Sequence, residues 1–393
     1  MKLINFFLLL AFALFPLGQL PTFSLAEFGF AEVRIHVFDL LIGLIAFLWW
    51  SRKFLKKKTL PKITIRKPLL LFTAWAMVTL LVNVPLLESR EVLIAFLYLI
   101  RFFAFASLAF VSFEIFSENK KKKFLFKSLM IIGSTSSGLS LLQYFFFPDT
   151  RFLSDYQWDP HYFRAIGTFL DPTFLGMILV LTLILTFFEF ERKKRKLFLF
   201  LGSITYLSLA LTYSRASYLA FICGSGAISF FKKSPKIFLV ACLLLGMTIF
   251  LLPRPGGEGV KLERESTIEA RIRNWKQSIG ISKDHLLFGV GFNAYRPAQQ
   301  DYGFLGEEDW QVSHAGAGAD SSFLFALATT GVFGLILFLL FWWKTAKIHP
   351  ILTVSSIALT AHSFFSNSLF YPWVMFWIFI LVGALAFKEK NSL

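Results

Sequence analysis

Long apolar runs separated by short polar stretches dominate the chain. The pattern predicts membrane-spanning helices over roughly residues 4–20, 35–50, 68–85, 92–115, 124–146, 173–190, 197–213, 216–231, 236–252, 321–343, 350–366 and 371–387. Runs of this length match the hydrocarbon thickness of a bilayer and exclude a soluble globule. Backbone groups in lipid must bond within their own helix, so the runs read as helices and not as open sheet. The expected class is an all-α polytopic membrane protein with about twelve transmembrane helices. The expected organisation is nine helices over residues 1–252, a large outer loop over 253–320 and three helices over 321–393.

The polar stretches set the orientation. The loops "SRKFLKKKTLPKITIRK", "SENKKKK", "ERKKRK", "KKSPK" and "KTAK" alternate with loops poor in lysine. All of them fall on one side, which is then cytoplasmic, with both termini inside and the protein in the cytoplasmic membrane. The net charge of +16 is therefore read as the positive-inside pattern and not as a nucleic-acid surface. The 51 phenylalanines suit lipid-facing helices. Cys223 and Cys242 lie in apolar runs and indicate packing, with no disulfide framework. No Cys/His spacing suggests zinc, and no metal or cofactor is expected. Ser24 and Ala26 have the small-residue spacing of a leader cleavage site. The expectation is that the first span is retained.

Two outer segments are long enough to carry function, residues 147–172 and 253–320. In the first, Asp159, His161, Arg164 and Asp171 are candidates, although Asp159–Pro160 and Asp171–Pro172 are also ordinary turn formers. In the second, "STIEARIRNWKQSIG" predicts an amphipathic helix, with Ser266 and Glu269 at capping-box spacing and Gly280 as a stop. Ile268, Ile272, Trp275 and Ile279 form its apolar stripe, suited to lying on the outer leaflet. Arg271 sits at the edge of that stripe and Arg273 projects to the other side. Arg215, at the outer end of a span, reads as a snorkelling cation or as an anion clamp. Arg101 lies deep in its span and needs a partner, for which Asp39 is available. Gly289 and Gly291 suggest a tight turn descending toward the membrane. Asp320 immediately precedes a predicted helix and reads as its N-cap. His314 stands close by, with an intrinsic pKa near neutrality.

Several of these segments in order resemble the O-antigen ligase and polymerase family of membrane glycosyltransferases. The resemblance covers roughly residues 90–340. Its parts are "WDPHYFRAIGTFLDPTFLG", "LTYSRASYLA", "EARIRNWKQSI…LLFGVGFNAY" and "DSSFLFALATTGVFG". It implies a GT-C-like fold, a glycan donor on undecaprenyl diphosphate, and a glycan, lipid or protein acceptor. Transfer would proceed with inversion and without metal or nucleotide. Arg215 and Arg271 match the family's diphosphate-binding arginines, and Arg164, Asp159, His161, Arg273 and Arg101 remain further substrate-contact candidates. One departure matters. Ligases carry a histidine eleven residues before the first glycine of the last matching span, and here that count back from Gly331 reaches Asp320. The threonine pair that follows the second glycine in ligases is Leu335–Ile336 here. Either Asp320 or His314 is then the base, and polymerase and ligase roles both stay open. A transporter or flippase of lipid-linked glycan is the alternative function, and a non-enzymatic assembly partner is a third.

Overall fold

The computed structural model describes residues 1–25, 30–156, 158–306 and 318–386. It is a helical bundle whose elements follow the apolar runs. Helix α1 (Lys2–Leu14) leads to a two-stranded antiparallel hairpin, β1 (Thr22–Leu25) and β2 (Phe30–His36), in which Thr22 pairs with His36. Then come α2 (Val37–Leu55), α3 (Arg66–Asn83), α4 (Ser89–Ile115) and α5 (Asn119–Phe146). After a long loop follow α6 (Pro172–Lys193), α7 (Lys196–Ala210), α8 (Arg215–Phe231) and α9 (Pro235–Leu251). The large loop holds α10 (Ser266–Asp284) and α11 (Tyr295–Asp301). The chain closes with α12 (Ser322–Ala346), α13 (Pro350–Ser363) and α14 (Pro372–Ala386).

Among the described residues five helices, α3, α4, α5, α6 and α12, are long and apolar enough to cross a membrane by length and composition. Shorter apolar helices occupy four more of the predicted runs, α1, α7, α9 and α14, and α2, α8 and α13 fall on the rest. The hairpin was not foreseen. Its segment alternates in the period of a strand, T-F-S-L, but over so few residues that no periodic signal stands out.

The bundle has two chemically different ends. At one, the basic loops gather: Lys53 of α2 pairs with Glu114 of α4, and Glu191 of α6 pairs with Lys232 near α8. Lys57, Lys194 and Lys233 there adopt the left-handed conformation usually given to glycine after a helix. Cations at helix C-termini offset the partial negative charge of the dipole. The other end, called outer below, carries the two long loops.

The centre of the bundle is α14. It is apolar on every side, and Trp373, Phe376, Trp377 and Phe379 are all buried. A helix apolar all round can face lipid or core, and here it is core. It lies so close to α4 that a Cβ at Gly383 would come within 2.7 Å of the Phe113 backbone nitrogen. Small residues on α4, Ala104, Ala109 and Ser112, allow that approach. Arg101 of α4 is paired with Asp39 of α2, the partner its depth demanded. Its guanidinium also lies over the Tyr98 ring, 5.2 Å from the centroid. The pair is structural: it joins α2 to α4, and Arg101 is occupied there.

Candidate functional site at the outer end

The segment before α12 is built differently from its sequence expectation. Ser321, not Asp320, is the N-cap: its hydroxyl accepts from the Leu324 amide. Serine in extended conformation serves this purpose well, which leaves the Asp320 carboxylate unused by the helix. Asp320 is instead held through its backbone. Its amide donates to Asn274 Oδ1 at 2.7 Å, and Asn274 Nδ2 donates to Gly318 O at 3.4 Å. Burial raises the Asp320 carboxyl above the ordinary aspartate range, against the lowering pull of Arg271.

Asn274 belongs to a polar face of α10 that points inward. Asn274, Ser278 and Ser282 are buried, with Ser278 hydroxyl to Tyr295 hydroxyl at 2.5 Å. Arg271, three residues before Asn274, shares that face and lies over the Phe365 ring, 5.8 Å from its centroid. Ile268, Ile272 and Ile279 are exposed, at 46%, 44% and 42%. The apolar stripe therefore faces away from the bundle, as a leaflet-facing stripe would. Trp275 does not join it: its ring packs on Phe365 at 5.7 Å. Ser266 and Glu269 form no capping box, since Glu265 precedes the first turn without a side-chain cap. Gly280 does not stop the helix, which runs on to Asp284. His285 N still donates to Ile281 O at 3.2 Å, one turn past the glycine, so the glycine is merely tolerated. Truncating Asn274 to alanine is expected to lower turnover by about tenfold, because losing a buried hydrogen bond costs roughly 1–3 kcal/mol. Steady-state kinetics beside an unchanged folded fraction checks this.

Below α10 the chain locks into α12. Gly331 breaks that helix, with φ 69° and ψ −177°. The gap is filled by the backbone of residues 286–290. Val332 N donates to Leu286 O at 2.8 Å, and Val290 N donates to Ala328 O at 2.9 Å. Trp75 Nε1 donates to Thr330 O at 2.9 Å, and Asn83 Nδ2 to Gly289 O at 3.2 Å. A helix break in lipid leaves backbone groups that must find new partners. Here the outer loop and α3 supply them. Gly289 and Gly331 thus join the two glycine-bearing segments into one unit that fixes α10 relative to α12.

Arg271 acts electrostatically on Asp320, and through Arg271 a cluster of cations extends to Arg215 and Arg264. Arg215, the first residue of α8, donates through Nη1 to the carbonyls of Leu262 and Arg264, each at 3.1 Å. Its Nη2 is buried and, among the described residues, has no partner. Arg264 donates to Gly259 O at 2.9 Å, and burial together with Arg215 and Arg271 brings it down to about 10. Arg271 feels Asp320, Arg215 and Asp171. Asp171 caps α6, accepting from Thr173 N at 2.6 Å and Phe174 N at 2.7 Å. The N-termini of α6, α8 and α12 all bear residues of this cluster, so their dipoles add to its positive field.

Residues 172–339 match the family model of O-antigen ligases. No curated protein matches the chain. The matching segment begins at α6 and ends inside α12. It holds Arg215, Arg271 and Asp320, and the two interlocking glycines. The predicted candidates of the first outer loop lie before it.

Those candidates divide. Arg164 is buried and donates to Thr212 O at 2.9 Å, bracing the turn that precedes α8; burial and Arg264 push it down to about 9. His161 is held neutral, down to about 3, by burial and by Arg164 and Arg264. Asp159 is exposed yet acts electrostatically on Asp171 and Asp320. Arg273 is exposed on the far side of α10, away from the cluster. Arg101 is tied to Asp39 and takes no part. His314 falls outside the described residues.

Three neighbours of the site went unread in the sequence. Asn274 and Arg264 are two, and the third is His362. His362 is fully buried, with Nδ1 2.6 Å from Ser368 Oγ and Nε2 3.2 Å from Ser217 Oγ. Ser217 also donates to Ser214 Oγ at 2.8 Å, so the ring braces the N-cap of α8 and hence Arg215. Only the spacing of Arg271 and Asn274 on one helical face could have signalled any of these.

Proposed function

We propose that this protein is a membrane glycosyltransferase of surface polysaccharide biosynthesis. It would act as an O-antigen polymerase or ligase on the outer face of the cytoplasmic membrane, with both termini cytoplasmic. Twelve spans in a GT-C-like arrangement, and outer loops at residues 147–172 and 253–320, belong to this reading. The donor is a glycan on undecaprenyl diphosphate and the acceptor is a hydroxyl of a glycan, lipid or protein.

The observation that carries the proposal is the pair of available guanidinium groups beside a raised carboxyl. Arg215 has a buried Nη2 without a partner among the described residues, and Arg271 lies over a ring face with Asp320 as its electrostatic neighbour. An unsatisfied buried donor is costly unless a ligand completes it, and paired guanidiniums suit phosphate oxygens. Asp320 takes the proton of the acceptor hydroxyl as its oxygen attacks the anomeric carbon from the face opposite the leaving group. The bond from that carbon to phosphate breaks, the configuration inverts, and the lipid diphosphate leaves with its electron pair. Arg215 and Arg271 stabilise the charge that develops there. An apolar cavity of about 840 Å³ runs between α6, α7, α8 and α9, from Lys236 at the basic end to Pro253 at the outer end. The Tyr213 hydroxyl donates to Pro253 O, two residues before Arg215. A polyprenyl chain along this cavity would present its diphosphate to the arginines.

The test gives the purified protein an undecaprenyl-diphosphate oligosaccharide with self-acceptor, lipid or protein. Chain extension or transfer is expected, reduced about a hundredfold or more in Arg215→Ala and Arg271→Ala. Translocation across proteoliposomes without a covalent product would support the flippase reading instead. Surface glycan unchanged in Arg271→Ala cells would support an assembly role.

A further inference from the structure

At the basic end, α2 and α4 enclose a pocket of about 220 Å³ lined by Met1, Trp49, Arg52, Lys53, Lys58 and Glu114. Its charges are unevenly matched. Lys53 is buried, pairs with Glu114, and donates to Thr59 O at 3.2 Å. Trp49 Nε1 donates to the other Glu114 oxygen at 2.9 Å. The single carboxylate of the pocket is therefore engaged through both oxygens. The side chains of Arg52 and Lys58 have no hydrogen bond or ion pair to any described residue.

The neighbouring helix ends differ. There Glu189 pairs with Arg192 and Lys193, and Glu191 pairs with Lys194 and Lys232. Nor do Arg52 and Lys58 serve as caps. The last carbonyls of α2 are satisfied by the chain itself: Lys56 N to Arg52 O, Lys57 N to Phe54 O and Lys58 N to Lys53 O, each at 3.1 Å. That turn needs Lys57 at φ 47°. It is the turn that returns Lys58 to the pocket.

We propose that this pocket binds the phosphate of an anionic phospholipid. Two uncompensated cations over a buried lysine make a phosphate-sized anion site. Basic pockets between helices at the cytoplasmic surface suit such head groups. The surroundings favour a lipid over free phosphate. Phe54 and Leu55, in the same helix turn, are 84% and 79% exposed, an apolar margin that acyl chains cover and water does not. The site lies at the opposite end from the arginine cluster and needs none of its residues.

The experiment compares detergent-purified protein with added dioleoylphosphatidylglycerol, dioleoylphosphatidylcholine or inorganic phosphate. Phosphatidylglycerol is expected to raise the thermal midpoint by several degrees, and native mass spectrometry to retain one more such lipid on the wild type than on R52Q/K58Q. The double variant should fold normally in phosphatidylcholine and lose both effects, whereas K120Q/K123Q in the first turns of α5 should keep them. An equal midpoint shift and lipid count in R52Q/K58Q overturns the proposal. So does equal loss in K120Q/K123Q, which would mean diffuse surface charge, or an equal shift from inorganic phosphate alone.

Discussion

Asp320→Asn is expected to lower glycan transfer by about 10²–10⁴-fold, the range that a positioned general base supplies. Donor binding should change little, because Arg215 and Arg271, to which the proposed function assigns the diphosphate, remain. The replacement keeps the shape of the side chain, and Ser321 still caps α12, so the folded fraction should not fall. The pH dependence supplies a second readout. A base works only when deprotonated, so activity should be lost as pH falls through the Asp320 pKa. Burial raises that pKa and Arg271 lowers it. The acid limb should therefore lie above the ordinary aspartate range, and Arg271→Gln should move it to still higher pH as the residual activity is followed. His314→Ala should leave both the rate and the limb nearly unchanged. Full activity in Asp320→Asn, with loss in His314→Ala, would transfer the role to the histidine.

Gly331→Ala is expected to be the most disruptive single methyl in the molecule. Its backbone, φ 69° and ψ −177°, lies in a region essentially reserved for glycine. An added Cβ would also stand 2.5 Å from the Leu287 carbonyl carbon. Gly289→Ala meets the same obstacle from the other side, at φ 63° and 2.5 Å from the Thr329 carbonyl carbon. Each change forces the loop off the helix break and exposes carbonyl and amide groups that lipid cannot satisfy. Backbone strain of roughly 1–3 kcal/mol adds to the loss of the two interlocking hydrogen bonds. A fall in thermal midpoint of many degrees, with transfer activity falling alongside it, is the expected result. Gly280→Ala is the contrast. Its Cβ meets nothing within 4 Å and lies inside α10. Alanine should stabilise there by about 0.5–1 kcal/mol. Equal midpoints for all three variants would show that the interlock contributes nothing to stability.

The helix positions were legible in the sequence because their cause is local. A run of apolar residues must satisfy its own backbone in lipid, and only a helix does so. The burial partners were less legible. Arg101 announced its need for a partner by depth alone, and Asp39 is that partner. The α14 run, by contrast, reads like any lipid-facing span, and only its neighbours make it the core. The hairpin over β1 and β2 was too short to register as a period.

The candidate site shows the same division. Residue types singled out Arg215 and Arg271, since a fixed cation at the lip of a span is costly and conspicuous, and the family resemblance, counting back from Gly331, added Asp320. They also named Arg164, which braces a turn, and Arg101, whose charge is occupied. Sequence patterning drew attention to the apolar stripe of α10 because hydrophobic periodicity is the signal that patterning detects. The face that turns inward carries Arg271, Asn274, Ser278 and Ser282, and its significance lies in what each residue meets. Asp320 was a natural helix cap until Ser321 took that place, and the carboxyl was left to face Arg271. The sequence by itself determined a multi-pass helical membrane protein, the positions of its apolar helices and its charge asymmetry, because each follows from residues adjacent in the chain. Only the tertiary structure decided which ionisable groups are engaged and which are left available. That depends on partners far apart in sequence, such as Asn274 with Asp320 and Leu286 with Val332, brought together by packing.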